Sequence, residues 1–102
     1  MEIQKRRDGE SLTATLKGRL DTTTSPQLES ELNDDIDGVT SLYIDFTDLE
    51  YISSAGLRVL LSLQKKMTGQ AGQTGRLVIK NVNEGVMEIF NMTGFSKILS
   101  IE

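Results

Sequence analysis

The chain has no cysteine, no histidine and a single proline among its 102 residues. Without cysteine there is no disulfide framework, no zinc-thiolate site and no thiol nucleophile. Without histidine there is neither an imidazole-based triad nor a histidine proton shuttle. A basic excess is also missing, since 11 Lys and Arg stand against 15 Asp and Glu, a net charge of −4. A non-specific nucleic-acid binder needs the opposite balance to neutralise phosphates. The one basic cluster, Lys5-Arg6-Arg7, is short and reads as the solvated face of an early strand. No apolar run approaches the roughly 20 residues that cross a bilayer. The opening residues Met1 to Glu10 lack the apolar segment of a signal peptide. A soluble, cytoplasmic protein is expected, with no nucleic-acid and no membrane partner.

What is present is a core. Hydrophobic residues make up 37% of a length suited to one compact domain, residues 1–102, with Leu, Ile and Val recurring throughout. Asp8-Gly9-Glu10 is a turn signal, its glycine supplying positive φ, between segments Met1 to Arg7 and Ser11 to Lys17. Leu12, Ala14 and Leu16 alternate with polar residues, so the second segment is a strand with one buried face and the pair is a hairpin. Gly18 to Thr24 reads as a polar loop leading to Ser25-Pro26, a helix start in which the serine hydroxyl caps and the proline leaves no N–H unpaired. Leu28, Leu32 and Ile36 form its apolar stripe. Gly38 ends the helix, frayed by Asp34, Asp35 and Asp37 at the unfavourable end of the dipole.

Ser41 to Phe46 reads as a central strand and Thr47 to Ser54 as a loop. Ala55 to Met67 follows as an amphipathic helix with Leu57, Leu60, Leu61 and Met67 inward, broken by Gly69, Gly72 and Gly75. Leu77-Val78-Ile79 is a short buried strand. Glu84 to Met92 is a third helix with Val86, Ile89 and Phe90 inward, stopped by Gly94, and Ile98 to Ile101 adds a last strand. Such alternation requires right-handed crossovers and a largely parallel sheet. The fold class is α/β: a small mixed sheet, an opening hairpin then parallel strands, with amphipathic helices packed on it.

Chemistry concentrates in the segment from Asp45 to Arg58, where two hydroxyls, Ser53 and Ser54, stand at a strand-to-helix junction. Free N–H groups and the positive end of a helix dipole welcome an anion there. Taken alone, either serine can be an N-cap and no more, or an acceptor for phosphate, which would add nearly two negative charges. The run Tyr51-Ile52-Ser53-Ser54-Ala55-Gly56-Leu57-Arg58-Val59-Leu60-Leu61 closely resembles the signature of STAS domains, in particular the bacterial anti-sigma factor antagonists. Gly18-Arg19-Leu20-Asp21 is similar to the Gly-x-Leu-Asp motif of that family, and the likeness extends from the opening hairpin to Thr93-Gly94-Phe95.

The resemblance implies a partner-switching module that binds an anti-sigma factor, usually a serine kinase of the GHKL ATPase type, and so releases a sigma factor. It places the phosphoacceptor on Ser54, with Ser53 as the runner-up. A PP2C-type phosphatase would restore the complex. Asp21 matches a loop aspartate that helps engage the kinase, and Ser53, Gly56, Leu57 and Arg58 complete the partner-binding set. Two departures stand out: Ser53 where many members have aspartate, and Ala55 where many have Ser or Thr. The same resemblance leaves open a scaffold recruiting a signalling or lipid-transport complex, or a nucleotide-binding STAS domain. A monomer when free is expected.

Other signals carry less. Gly69 to Gly75 lacks the phosphate-loop pattern, and Asp34, Asp35 and Asp37 lack calcium-loop spacing. No metal or cofactor is implied. Asp21, Asp45 and Asp48 are candidates to converge near Ser54 as paired carboxylates. A hydrolase built on Ser54 would need a base, yet there is no histidine and the position three residues on is Leu57, so an enzyme is not expected.

Overall fold

The computed structural model describes residues 1–69 and 75–102. These form five strands, β1 (Glu2–Asp8), β2 (Ser11–Leu20), β3 (Ser41–Ile52), β4 (Arg76–Lys80) and β5 (Ser100–Ile101), in one sheet of that spatial order. The helices are α1 (Ser25–Asp35), α2 (Ser54–Gly69) and α3 (Glu84–Thr93), with a 3₁₀ turn at Phe95–Lys97. β1 and β2 pair antiparallel across Gly9, whose φ is +61°, and the remaining neighbours pair parallel. The expected hairpin and parallel strands are therefore present.

The sheet has a buried and an open face. Leu12, Leu42 and Leu77 lie in one row across β2, β3 and β4, and Ala14, Ile44 and Ile79 in the next. All six are buried. Crossovers that run in one direction with one hand place every helix on the same side. Against these rows pack Leu28, Leu32 and Ile36 from α1 and its end, Leu57, Leu60, Leu63 and Met67 from α2, and Val86 and Phe90 from α3. The Phe90 ring stacks on that of Phe46, centroids 6.2 Å apart. Leu61 and Ile89, expected inward, are only half-buried at the margin of this core.

Both central strands run longer than their patterns suggest. β2 continues through Gly18 to Leu20 and β3 through Thr47 to Ile52, where loops were expected. The cause is two register shifts that give β3 one extra residue each against β2, between Thr15 and Lys17 and between Gly18 and Arg19. Bulges interrupt the two-residue period. In β3 the buried positions consequently become Phe46, Leu49 and Ile52, three apart, which conceals a strand from any search for alternation.

The start of α1 also differs from expectation. Ser25 lies inside the helix, 1% exposed, and its hydroxyl donates to the Asp21 carbonyl at 2.5 Å rather than capping free N–H groups. At the other end Asp35 accepts from Lys5 at 2.5 Å, so β1 is tied to the acidic end of the helix. Of the glycines expected to break α2, Gly72 lies outside the described residues. Gly75 is buried where a Cβ would stand 2.5 Å from the Met67 carbonyl oxygen. Gly94 terminates α3 with a left-handed φ of +81°.

Candidate functional site

β3 hands over to α2 at a single residue. Ser53 donates its backbone N–H to the Leu20 carbonyl at 2.9 Å, which fastens the end of β3 to the end of β2. Its hydroxyl oxygen accepts the Gly56 N–H at 3.4 Å, and its carbonyl accepts the Leu57 N–H at 3.0 Å. Ser53 is thus the cap of α2. Ser54 is the first residue of the helix and is exposed, and its hydroxyl makes no hydrogen bond among the described residues. One serine spends its oxygen on the backbone and the next presents its own to solvent.

Gly56 and Leu57, expected in the partner-binding set, are buried in the free chain. Leu57 is 4% exposed and belongs to the core. Gly56 is buried where the helix meets the strand ends, and a Cβ there would fall 2.8 Å from Ile52 Cγ1 and 2.9 Å from Leu20 Cγ. Both set the height and angle of the Ser54 turn. Arg58, four residues beyond Ser54 on the same helical side, is exposed and free to meet a partner.

Asp21 is more occupied than the resemblance implies. Its Oδ1 accepts the backbone N–H groups of Thr24 at 3.1 Å and Thr23 at 3.0 Å, while the Thr24 hydroxyl lies at 3.3 Å. The Thr24 N–H, seconded by that of Thr23, holds the carboxyl below its usual value of 3.8 against the opposing effect of desolvation. Such a group stabilises the folded state above its unfolded pKa, and the contribution is lost as pH falls through the folded pKa. Asp21→Ala is therefore expected to lower Tm by roughly a few degrees at neutral pH, as loss of a turn-fixing acceptor does. The gap from the parent should narrow in melts taken below pH 3.8. A constant gap at every pH would remove the carboxylate from this role.

Two residues at this rim, Arg19 and Tyr51, lie inside the two sequence motifs but outside the expected partner-binding set. Tyr51, 37% exposed, carries the Arg19 guanidinium 4.5 Å from its ring centroid, and Arg19 Nε lies 4.0 Å from Asp21 Oδ2. The register pairs Arg19 with Tyr51 directly, so the stack follows from the bulged end of the β2–β3 ladder. A sequence that hides the strand hides the pair. Between the first turns of α1 and α2 lies an open groove of about 370 Å³, lined by Thr22, Pro26, Glu29, Ala55 and Arg58 among others. The three candidate carboxylates, Asp21, Asp45 and Asp48, do not converge. Counted from Ile52 at the end of β3, Asp45 sits about 23 Å back along the strand and Asp48 about 13 Å, at ~3.3 Å per residue. Asp45 instead accepts from Thr47 and from Asn81. Among the described residues no group of three or more acidic side chains is placed to hold a metal ion.

The STAS domain family model matches residues 2–102. BtrV of Bordetella bronchiseptica, a protein named for an anti-sigma factor antagonist role, is 36% identical over 91 residues, 88% of this chain and 76% of that protein. The anti-sigma-B factor antagonist of Listeria monocytogenes is 27% identical over 100 residues, 96% of this chain and 84% of that one. In fold, the anti-sigma factor antagonist SpoIIAA in its unphosphorylated form gives a TM-score of 0.76 at 20% identity, over 99% of this chain and 87% of that one. The Bacillus SpoIIAA in its phosphorylated form gives 0.75 at 20% identity, over 99% and 91%.

Proposed function

The chain belongs to the STAS domain family, and from that membership we propose an anti-sigma factor antagonist switched by phosphate on Ser54. In its unmodified state it binds an anti-sigma factor and frees the sigma factor. Its relatives from Bordetella and Listeria are named for this role. The partner on this reading is a serine kinase of the GHKL type, a PP2C-type phosphatase reverses the modification, and the exchange takes place in the cytoplasm. The chain is the binding module, and the kinase is the catalyst.

The observation that carries the reading is the division of labour between the two serines. Ser53 holds the helix start together, and Ser54 offers a free, exposed hydroxyl at the positive end of a 16-residue helix. A phosphate there meets favourable N–H dipoles, so the fold tolerates it. An interface pressed against the same turn does not, because nearly two new charges must be desolvated or repelled. Serine in place of the frequent aspartate at position 53 keeps the capping function, which both residue types perform, and removes one charge beside the acceptor. The contact surface extends over Arg58, the groove beside Pro26 and the Arg19–Tyr51 stack, since Arg and Tyr are the side chains most often found at energetic centres of interfaces.

Incubation with the purified kinase and ATP, followed by peptide mass spectrometry, tests the assignment. Phosphate on Ser54 and none on Ser53 is expected. Transfer to Ser53 alone would move the switch by one residue, and no transfer would refute the reading.

A further inference from the structure

Parallel sheets are usually covered on both faces. Here every helix lies on one side, and the other carries rows that are polar except for one valine: Asp8, Ser11, Ser41 and Arg76; then Arg6, Thr13, Tyr43 and Val78; then Gln4, Thr15, Asp45 and Lys80. In spite of that exposure Val78 is only 2% exposed. Its neighbours lie flat across the face. Arg76 donates to the Tyr43 hydroxyl at 2.6 Å, and Lys80 Nζ sits 4.5 Å from the Tyr43 ring centroid. Tyr43 thereby holds two cations in fixed positions.

Over β2 this arrangement leaves a trough of about 620 Å³, with Arg6 on the β1 wall and Tyr43 and Lys80 on the other. Its floor is Ser11, Thr13 and Thr15, three hydroxyls on alternate residues. Arg6 and Tyr43 stand two strands apart, a width of about 10 Å at ~4.8 Å per strand. None of Arg6, Arg76 and Lys80 has a carboxylate within ion-pair distance among the described residues, whereas Lys5, on the opposite face of β1, is bound to Asp35. The carboxylates on this face are Asp8 and Asp45, with Glu2 one row beyond the trough. Asp45 accepts from Thr47 and Asn81 and stands opposite Lys80 in the β3–β4 register, beyond ion-pair distance, where it offsets only part of that cation's charge. Asp8 closes the trough at the Ser11 row.

We propose that this trough docks an extended acidic segment of a partner protein. The chemistry selects the occupant. Unpaired cations on both walls favour carboxylates, and cations already held against an aromatic ring lose little side-chain freedom when they bind one. The width admits a single extended chain, and a helix, about 10–12 Å across with its side chains, is too thick. An extended chain projects every second side chain downward with the same period as Thr13 and Thr15. Carboxylates over those two rows meet Arg6 and the Tyr43 hydroxyl, then Lys80, while Asp8 repels one over the third row. The trough lies on the face opposite the helices, so its occupant can remain when Ser54 is modified.

Titration of the full chain with a hexaglutamate peptide at low salt, followed by amide NMR shifts, tests this. Shifts centred on Thr13, Thr15, Tyr43 and Lys80 are expected. Binding should weaken about tenfold in an Arg6→Gln, Lys80→Gln double variant, and weaken further with added salt. An absence of shifts, shifts centred elsewhere, equal binding by the double variant or equal binding of hexalysine would each overturn the proposal. If the double variant does not fold, the shift map on the parent chain decides alone.

Discussion

Gly56→Ala is expected to cost about 2 kcal/mol and to lower Tm by roughly 10 °C, a large loss for one methyl group. The added carbon would stand 2.8 Å from Ile52 Cγ1, 2.9 Å from Leu20 Cγ and 3.0 Å from the Leu20 carbonyl oxygen. Two of these are branch-point or stem atoms of fully buried side chains, and the third is backbone already accepting the Ser53 N–H. None can swing aside, so the first turn of α2 must lift from the ends of β2 and β3. That lift displaces Ser53 and Ser54 as well, and partner affinity should fall with stability. Thermal melts of Gly56→Ala beside Ala55→Gly provide the comparison, since Ala55 is only half-buried one position away. A normal Tm for Gly56→Ala would mean that α2 is not clamped at this point.

Ser54→Asp is expected to weaken binding to the anti-sigma kinase by ten- to a hundredfold, and Ser54→Ala to leave it within a factor of about three, as for a desolvated like-charge contact against a lost exposed hydroxyl. Neither change should unfold the chain. Ser54 is exposed and its hydroxyl has no partner among the described residues. An aspartate in the first turn is also favoured by the helix dipole, so Ser54→Asp should melt no lower than the parent. Loss of binding without loss of stability distinguishes a switch from a structural cap. The same pair of substitutions at Ser53 should behave differently. Ser53→Ala removes the acceptor of the Gly56 N–H and should destabilise the fold by about 1 kcal/mol, whereas Ser53→Asp retains a cap.

How far the sequence alone carries the fold depends on whether a period survives. Leu12, Ala14 and Leu16 alternate without interruption, and the hairpin strand is read correctly. Leu28, Leu32 and Ile36 keep a helical stripe and do the same for α1. From Thr47 to Ile52 two bulges replace alternation with a spacing of three, and a strand resembles a polar loop. The consequence reaches the site, since Arg19 and Tyr51 face each other only because that hidden strand pairs with β2. The serine pair is legible as a junction because Ile52 is apolar and the leucines of α2 begin immediately after it. Which hydroxyl caps the helix is not, because both serines are good capping residues and the choice depends on where the bulged strand ends. Gly56 and Leu57 look like surface motif residues in one dimension and are core residues in three. The open face of the sheet is unreadable for another reason: the handedness of three crossovers decides which side stays bare, and no single segment encodes that.

An aspartate carries one charge where phosphoserine carries nearly two, so the modified protein itself gives the most direct measurement. Calorimetric titration of one purified anti-sigma kinase with unmodified chain and with chain phosphorylated on Ser54 compares the two states of the proposed switch. Affinity should drop at least thirtyfold, about 2 kcal/mol by the logarithmic relation of affinity to free energy, with the amide NMR spectrum of the phosphorylated chain altered only around the start of α2. Equal affinities for the two forms would contradict the switch outright.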